Sequence, residues 1–222
     1  MAAEAGASSF PVDEALTTTR AVRKRLDFSR PVPHALLLEC LEIALQAPTG
    51  SNRQGWQFVF VSDTEKKRAI TEYYARTWEA YSQQRRPEYP EGDARGERLP
   101  RVVSSSAYLA EHLHEAPWLL IPCHRGRLPE GAPVFMQAGF WGSILPAFWS
   151  FMLAARARGL GTAWTTFHLA HERECAEILG IPYEKYTQAG LTPIAYTRGQ
   201  DFKPAPRIPL ESVVHFEHWG GR

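Results

Sequence analysis

This chain of 222 residues carries almost no net charge: 25 Lys and Arg face 24 Asp and Glu, a formal net charge of +1. Such a balance offers no bulk attraction to nucleic acid or acidic lipid, so neither is expected as a partner. Cysteine is scarce too. Cys40, Cys123 and Cys175 lie far apart and are odd in number, which argues against a disulfide framework and fits a reducing, cytoplasmic setting. The first residues lack the positive and apolar regions of a signal peptide and read as a frayed tail over 1–11. Without an internal repeat or a composition break, residues 12–222 read as one domain.

Metal-ligand and nucleophile constellations are also wanting. His168 and His171 have the spacing of one helical face but no third ligand, so they read as surface or capping residues. His112 with His114, and His215 with His218, read the same way. No cysteine has an obvious His partner, and all three read as structural. Gly159-Leu160-Gly161 follows a helical pattern and enters a strand-like one, the reverse of a dinucleotide-binding turn; it reads as a helix stop. Charge is missing altogether from residues 131–155. That length spans a bilayer, yet Pro133, Gln137, Ser143, Pro146 and Ser150 interrupt it. A central helix buried on all sides, partly against a second subunit, is the expectation.

Apolar periodicity places helices at 12–20, 33–47, 65–84, 101–114 and 171–179, with Asp63 or Thr64 capping the third. Strand patterns fall at 56–62, 118–122, 161–166, 191–197 and 213–216. Residues 87–100, rich in Pro, Gly and charge, read as a mobile excursion with a lid as one use. Helices outnumber strands without regular alternation, so the fold class is α+β.

Three pieces carry polar chemistry. Ala47-Pro48-Thr49-Gly50-Ser51-Asn52-Arg53-Gln54-Gly55-Trp56 is long for a helix-to-strand connection, with small residues and amides suited to a flat polar heterocycle. It also fits an ordinary turn. Thr19-Arg20-Ala21-Val22-Arg23-Lys24-Arg25 suits either a phosphate or a solvated basic face. Arg207 stands among prolines that stiffen its backbone. Tyr73, Tyr74, Trp78 and Tyr81 fit both a roof over an aromatic ligand and ordinary helix packing.

Together these pieces resemble the FMN-dependent nitroreductase family. The landmarks are Arg20-x-x-Arg23 with Arg30-Pro31-Val32-Pro33, the 47–56 loop, Ala154-Ala155-Arg156 through Gly159-Leu160-Gly161-Thr162, Leu179-Gly180-Ile181-Pro182, and Arg207-x-Pro209. The resemblance implies a mainly antiparallel sheet of about five strands flanked by helices, in an intertwined homodimer whose two FMN sites each draw on both chains. By position, Arg20, Arg23, the backbone around Ala21, and Arg207 would hold the FMN phosphate. Thr49, Ser51, Asn52 and Gln54 would line the ribityl chain and pyrimidine edge. Trp164, Thr165 and Thr166 would follow the isoalloxazine, with Thr165 a candidate donor to N5 and no residue acting as a catalyst in its own right.

The implied activity is ping-pong transfer from NADPH or NADH through flavin N5 to a small aromatic acceptor, nitroaromatic or quinone-like. A flavin-binding sensor or sequestering protein without turnover is the alternative. Thr19 stands where the family usually has another Arg, Ala21 where it has Ser, and Gly55 where proline is frequent. The Glu-x-x-x-Tyr lid pattern of the related iodotyrosine deiodinases is not evident.

Overall fold

The strand Trp118–Arg125 (β3) is apolar along most of its length, and its central residues Leu119, Leu120 and Ile121 are fully buried. A strand hidden on both faces has to lie inside a sheet covered on both sides. The computed structural model, which describes residues 12–221, builds that arrangement. Beside β3 runs Trp56–Val61 (β2), paired antiparallel from Trp56 opposite His124 to Val61 opposite Leu119. Thr192–Thr197 (β6) takes the first part of the other edge and Tyr186–Gln188 (β5) the last part. Leu26–Asp27 (β1) and Leu160–Thr162 (β4) both pair with β6, completing six antiparallel strands.

Alternation along the strands divides the core in two. Leu119, Ile121 and Cys123 face a cluster with Ile70 and Tyr74 of the helix Thr64–Ser82 (α3), Leu109 of Ala94–His112 (α4) and Cys175 of Glu172–Leu179 (α7). Leu120 faces the opposite cluster, with Leu37 and Cys40 of His34–Ala44 (α2) and Phe148 and Phe151 of Leu145–Ala157 (α6). Cutting a fully buried ring such as Phe151 back to Ala costs about 3–5 kcal/mol in sites of this kind. Val12–Thr18 (α1) leads into the basic segment. Cys40, Cys123 and Cys175 are free and buried, with burial pushing their thiols up to about 11, 12 and 12. They are packing residues.

Several expectations are corrected. The uncharged stretch forms two helices, Val134–Gly142 (α5) and α6, because Pro146 in the first turn of α6 lacks an N–H and cannot follow a continuous helix. Of the pair, α6 is buried, whereas Val134 and Phe135 on α5 are 80% and 75% exposed. Residues 134–157 have the length and hydropathy of a membrane span, but 44% of their most apolar 18-residue window lies buried inside the fold. Residues 94–100 belong to α4, which starts where the Asp93 carboxylate accepts from the Arg95 N–H and runs through Pro100. The irregular segment therefore shrinks to 83–93.

Residues 213–216 form no strand; a 3-10 turn at Leu210–Ser212 precedes them. β1 and β5, at two and three residues, exist through their neighbours' edges rather than their own patterns. The expected tail over 1–11 lies outside the described residues.

His168 is the sharpest correction, being fully buried rather than on the surface. It sits in the 3-10 turn Phe167–His171, which leads into α7, and the Cys175 thiol points at its carbonyl at 3.9 Å. Neither ring nitrogen makes a hydrogen bond of good geometry. Burial pushes its pKa down to about 3, against a weaker upward pull from the Gln188 side chain. The unfolded chain binds a proton at this His near pH 6.5 while the folded chain does not, so folding stability falls as pH drops below that value. Urea titrations at stepped pH are expected to show a loss of up to about 1.4 kcal/mol per pH unit from this residue below pH ~6. His168→Leu should remove that component, and an unchanged pH slope would contradict the assignment.

Candidate functional site

The loop after α2 is held in a conformation most side chains avoid. Ser51, Asn52 and Gln54 have φ of 52°, 53° and 47°, three of the four positive-φ non-glycine residues among those described. Left-handed backbone costs roughly 1–2 kcal/mol at a residue with a Cβ. Local hydrogen bonds keep it there: the Gln54 N–H donates to Thr49 Oγ1 at 3.1 Å, and Gln54 Nε2 to Asn52 Oδ1 at 3.0 Å. The Gly50 N–H donates to Ser143 Oγ at 3.0 Å, fastening the loop to the end of α5. Ser51, Asn52 and Gln54 are exposed, and Thr49 is half-buried. The amides thus face outward beside the exposed apolar surface of α5.

The basic segment after α1 lies extended along β4, with Ala21 bridging Thr162 and the Val22 N–H donating to the Thr162 carbonyl at 2.8 Å. Arg25 pairs with Asp201 at 2.5 Å. Its neighbours find only neutral partners: Arg20 Nε donates to the Thr18 carbonyl, Arg23 to Ser105 Oγ at 3.3 Å and Lys24 to Ser104 Oγ at 2.7 Å. Burial, and then the charges of Arg98, Arg207 and Arg25, hold Arg20 below the usual guanidinium range; burial does the same at Arg23. Arg207 is exposed and donates only to the Pro206 carbonyl among the described contacts. Arg20, Arg23 and Arg207 form no ion pair among the described residues, and cations gathered in that way repel one another and favour an incoming anion.

Trp164, Thr165 and Thr166 line a cavity of about 670 Å³ together with Arg23, Tyr74 and Trp78. Trp164 packs on Phe148 at 4.5 Å between ring centroids. Gly190 permits that approach, because a Cβ there would lie 2.9 Å from the Phe148 ring and 3.3 Å from Trp164 Nε1. Thr165 is already well engaged: its N–H and carbonyl bridge Leu191, and its hydroxyl donates to the Tyr74 hydroxyl at 3.0 Å. Burial raises the Tyr74 phenol, while the Thr165 contact and the Arg23 charge draw it down. Donation from Thr165 to a ligand is open if the Tyr74 hydroxyl takes over as donor in their contact, or if the Thr165 hydroxyl turns away from it.

Both readings of the α3 aromatics apply. Tyr74 is a core residue at 2% exposure, whereas Trp78 and Tyr81 form the cavity wall with Phe167 at centroid distances of 5.7 and 5.2 Å.

Arg23, Trp164, Thr165 and Thr166 thus share one cavity, with Arg20 and Arg207 electrostatically beside it. Thr49, Ser51, Asn52 and Gln54 do not line that cavity. Within one protomer the two groups of residues lie apart. Sequence reasoning missed Arg98 and Phe167. The i, i+3 relation of Arg98 and Arg101 marks a basic face only if 94–100 are helical, and the Pro, Gly and charge of 87–100 point instead to an irregular excursion.

The sequence pattern of the Nitroreductase family matches residues 16–196. This chain belongs to the nitroreductase family. An NADH dehydrogenase of Thermus thermophilus is 31% identical over 225 residues, spanning 93% of this chain and 98% of the relative. A solved structure of oxidized iodotyrosine deiodinase bound to FMN and 3-iodo-L-tyrosine superposes with a TM-score of 0.70 at 24% identity, over 93% of this chain and 98% of that one. A variant of the FMN and NADPH-dependent nitroreductase NfnB, from sphigopyxis sp. strain HMH, gives 0.64 at 25% identity, over 92% and 98%. The antiparallel sheet flanked by helices is the family's fold, with six strands where about five were expected.

In this family member the loop's strain is separable from its contacts. Ser51→Gly removes an unfavourable Cβ at φ 52° and breaks no side-chain hydrogen bond among those described. Thermal or urea unfolding should show stability unchanged or raised by up to about 1 kcal/mol. A clear loss would mean that the conformation is not strained.

Proposed function

We propose that this nitroreductase-family chain is an FMN-dependent NAD(P)H oxidoreductase acting on small aromatic acceptors, nitroaromatic or quinone-like, at two composite sites of a homodimer. One observation carries the reading: within a single protomer the cationic cavity and the strained amide loop lie apart, as the two halves of a site shared between subunits would. The donor set suits FMN. Arg20, Arg23 and Arg207 offer positive charge without carboxylate partners among the described residues, as a phosphate dianion requires. Asn52 and Gln54 offer exposed amides for a pyrimidine edge, Thr49 and Ser51 hydroxyls for a ribityl chain, and Trp164, Thr165 and Thr166 a half-open wall for a flat ring.

When bound, FMN would supply the redox chemistry, with NADH or NADPH as the source of reducing equivalents at N5 and the acceptor reduced afterwards in ping-pong order. The chain's own residues bind and orient. Arg20 and Arg23, held in place by the β4 bridge and Ser105, present charge with little reorganisation. Trp78, Tyr81 and Phe167 offer ring faces to an aromatic acceptor and exclude water from it. Residues 83–93, between α3 and α4, serve as the lid. The Thr165 hydroxyl, held by Tyr74, is the candidate donor at the ring's edge.

Exposed Val134, Phe135 and Met136 on α5 give the second copy an apolar face to cover, and the loop tied to Ser143 travels with that face. Residues 12–222 then act as one domain in a soluble, cytoplasmic dimer.

Purified protein is expected to be yellow, to hold one FMN per protomer, and to bleach with NADH or NADPH. Yellow protein that neither nicotinamide bleaches would leave a flavin-binding sensor or sequestering protein; protein that takes up no FMN would refute both. Co-expressing Arg23→Ala with Asn52→Ala tests the composite site. Each homodimer is impaired at both sites, but a mixed dimer regenerates one intact site, so random pairing should restore about one quarter of the wild-type sites. No recovery would place both residues in one protomer's site.

A further inference from the structure

The basic segment presents fewer phosphate donors than its four cations suggest. Thr19 is buried with its hydroxyl unpartnered, Ala21 has no polar side chain, Arg25 is neutralised by Asp201, and Lys24 is drawn to Ser104. More cations stand opposite. Arg98, Arg101 and Ser105 of α4 are spaced i, i+3 and i+7, which puts them on one helical face. That face is docked on the basic segment through Ser105 to Arg23 and Ser104 to Lys24.

Arg98 and Arg101 share with Ala21, Arg23 and Lys24 a recess of about 560 Å³ that contains no carboxylate. A smaller recess on the other side of Arg98 and Arg101 reaches Pro206, the neighbour of Arg207. Its Glu97 makes no ion pair with either arginine among the described residues. Arg98 is moreover the leading charge acting on Arg20.

Resting on the FMN reading above, we propose that Arg98 and Arg101 are further phosphate-binding residues, so that the FMN phosphate is clasped between the basic segment and α4. Leu99, Val102 and Val103 of the same helix line the larger cavity. Capture of the phosphate therefore also sets one wall of the acceptor site, and FMN orders that wall in a way riboflavin cannot.

The test compares FMN with riboflavin, which lacks the phosphate. The full chain, stripped of flavin, is titrated with each and followed by quenching of flavin fluorescence. Arg98 and Arg101 are exposed, so replacing them removes little packing. In the R98A/R101A double variant FMN affinity should fall about tenfold or more while riboflavin affinity stays put. R98K/R101K should recover part of the loss. FMN, but not riboflavin, should slow proteolysis within 83–93, and the alanine variant should lose that protection. A double variant that keeps the wild-type preference for FMN over riboflavin overturns the proposal, as does an equal loss for both flavins. Wild-type protein that binds neither flavin refutes the FMN reading itself and this proposal with it.

Discussion

The burial of β3 on both faces is the constraint on which the other elements depend. Leu119 and Ile121 point one way and Leu120 the other, all without solvent exposure. Leaving either face wet would expose side chains worth about 1.5–3 kcal/mol each on burial. Helices must therefore cover both sides, with α3, α4 and α7 on one face and α2 and α6 on the other. The polar segments sit where those layers meet solvent. The 47–56 loop joins α2 to β2, and the basic segment joins α1 to β1 along β4. The rigid sheet gives both segments fixed positions, and the chemistry is left to their side chains.

Free energy is held unfavourably in two places, and the two match. One is backbone strain at Ser51, Asn52 and Gln54; the other is the setting of Arg20, where burial and then the charges of Arg98 and Arg207 disfavour its guanidinium. Neither helps the isolated chain fold, and under the proposed function both would serve a ligand that is anionic at one end and rich in hydrogen-bonding edges at the other. Arg127 shows the contrast. It meets Glu172 at 2.5 Å and the carbonyls of Tyr183 and Tyr186 at 2.9 Å, a satisfied network that ties β3 to α7. Satisfied polar groups of that kind build the scaffold.

Much of this was legible beforehand because it depends on local rules. The Asp63 cap accepting from the Lys66 N–H, the left-handed Gly159 and Gly180, and the β2 and β6 strands follow from capping, glycine conformation and alternation. Features set by distant neighbours were less legible. The composition of 87–100 points to an irregular excursion, yet α4 starts at Ala94 and passes through Pro100 because Asp93 caps the start and Ser106, Leu109 and Ala110 are buried against the core further along. For His168 the sequence points to a surface or capping residue, since a polar residue in a short turn gives no hint that α7 and the sheet will enclose it.

By itself, the sequence determined which residues carry charge, amides and turn chemistry, and so the kind of ligand the chain is equipped to hold. Those properties reside in single side chains and their near neighbours. Only the tertiary structure decided which of these residues meet. It brought Arg23 to Thr165 and Trp164 through β4 and its continuation, set Arg98 of α4 against Arg20, and kept Asn52 and Gln54 apart on the α5 side. Such meetings depend on how helices pack over a shared sheet, where residues 82 apart, such as Arg23 and Ser105, become hydrogen-bond partners. No window along the chain contains that information.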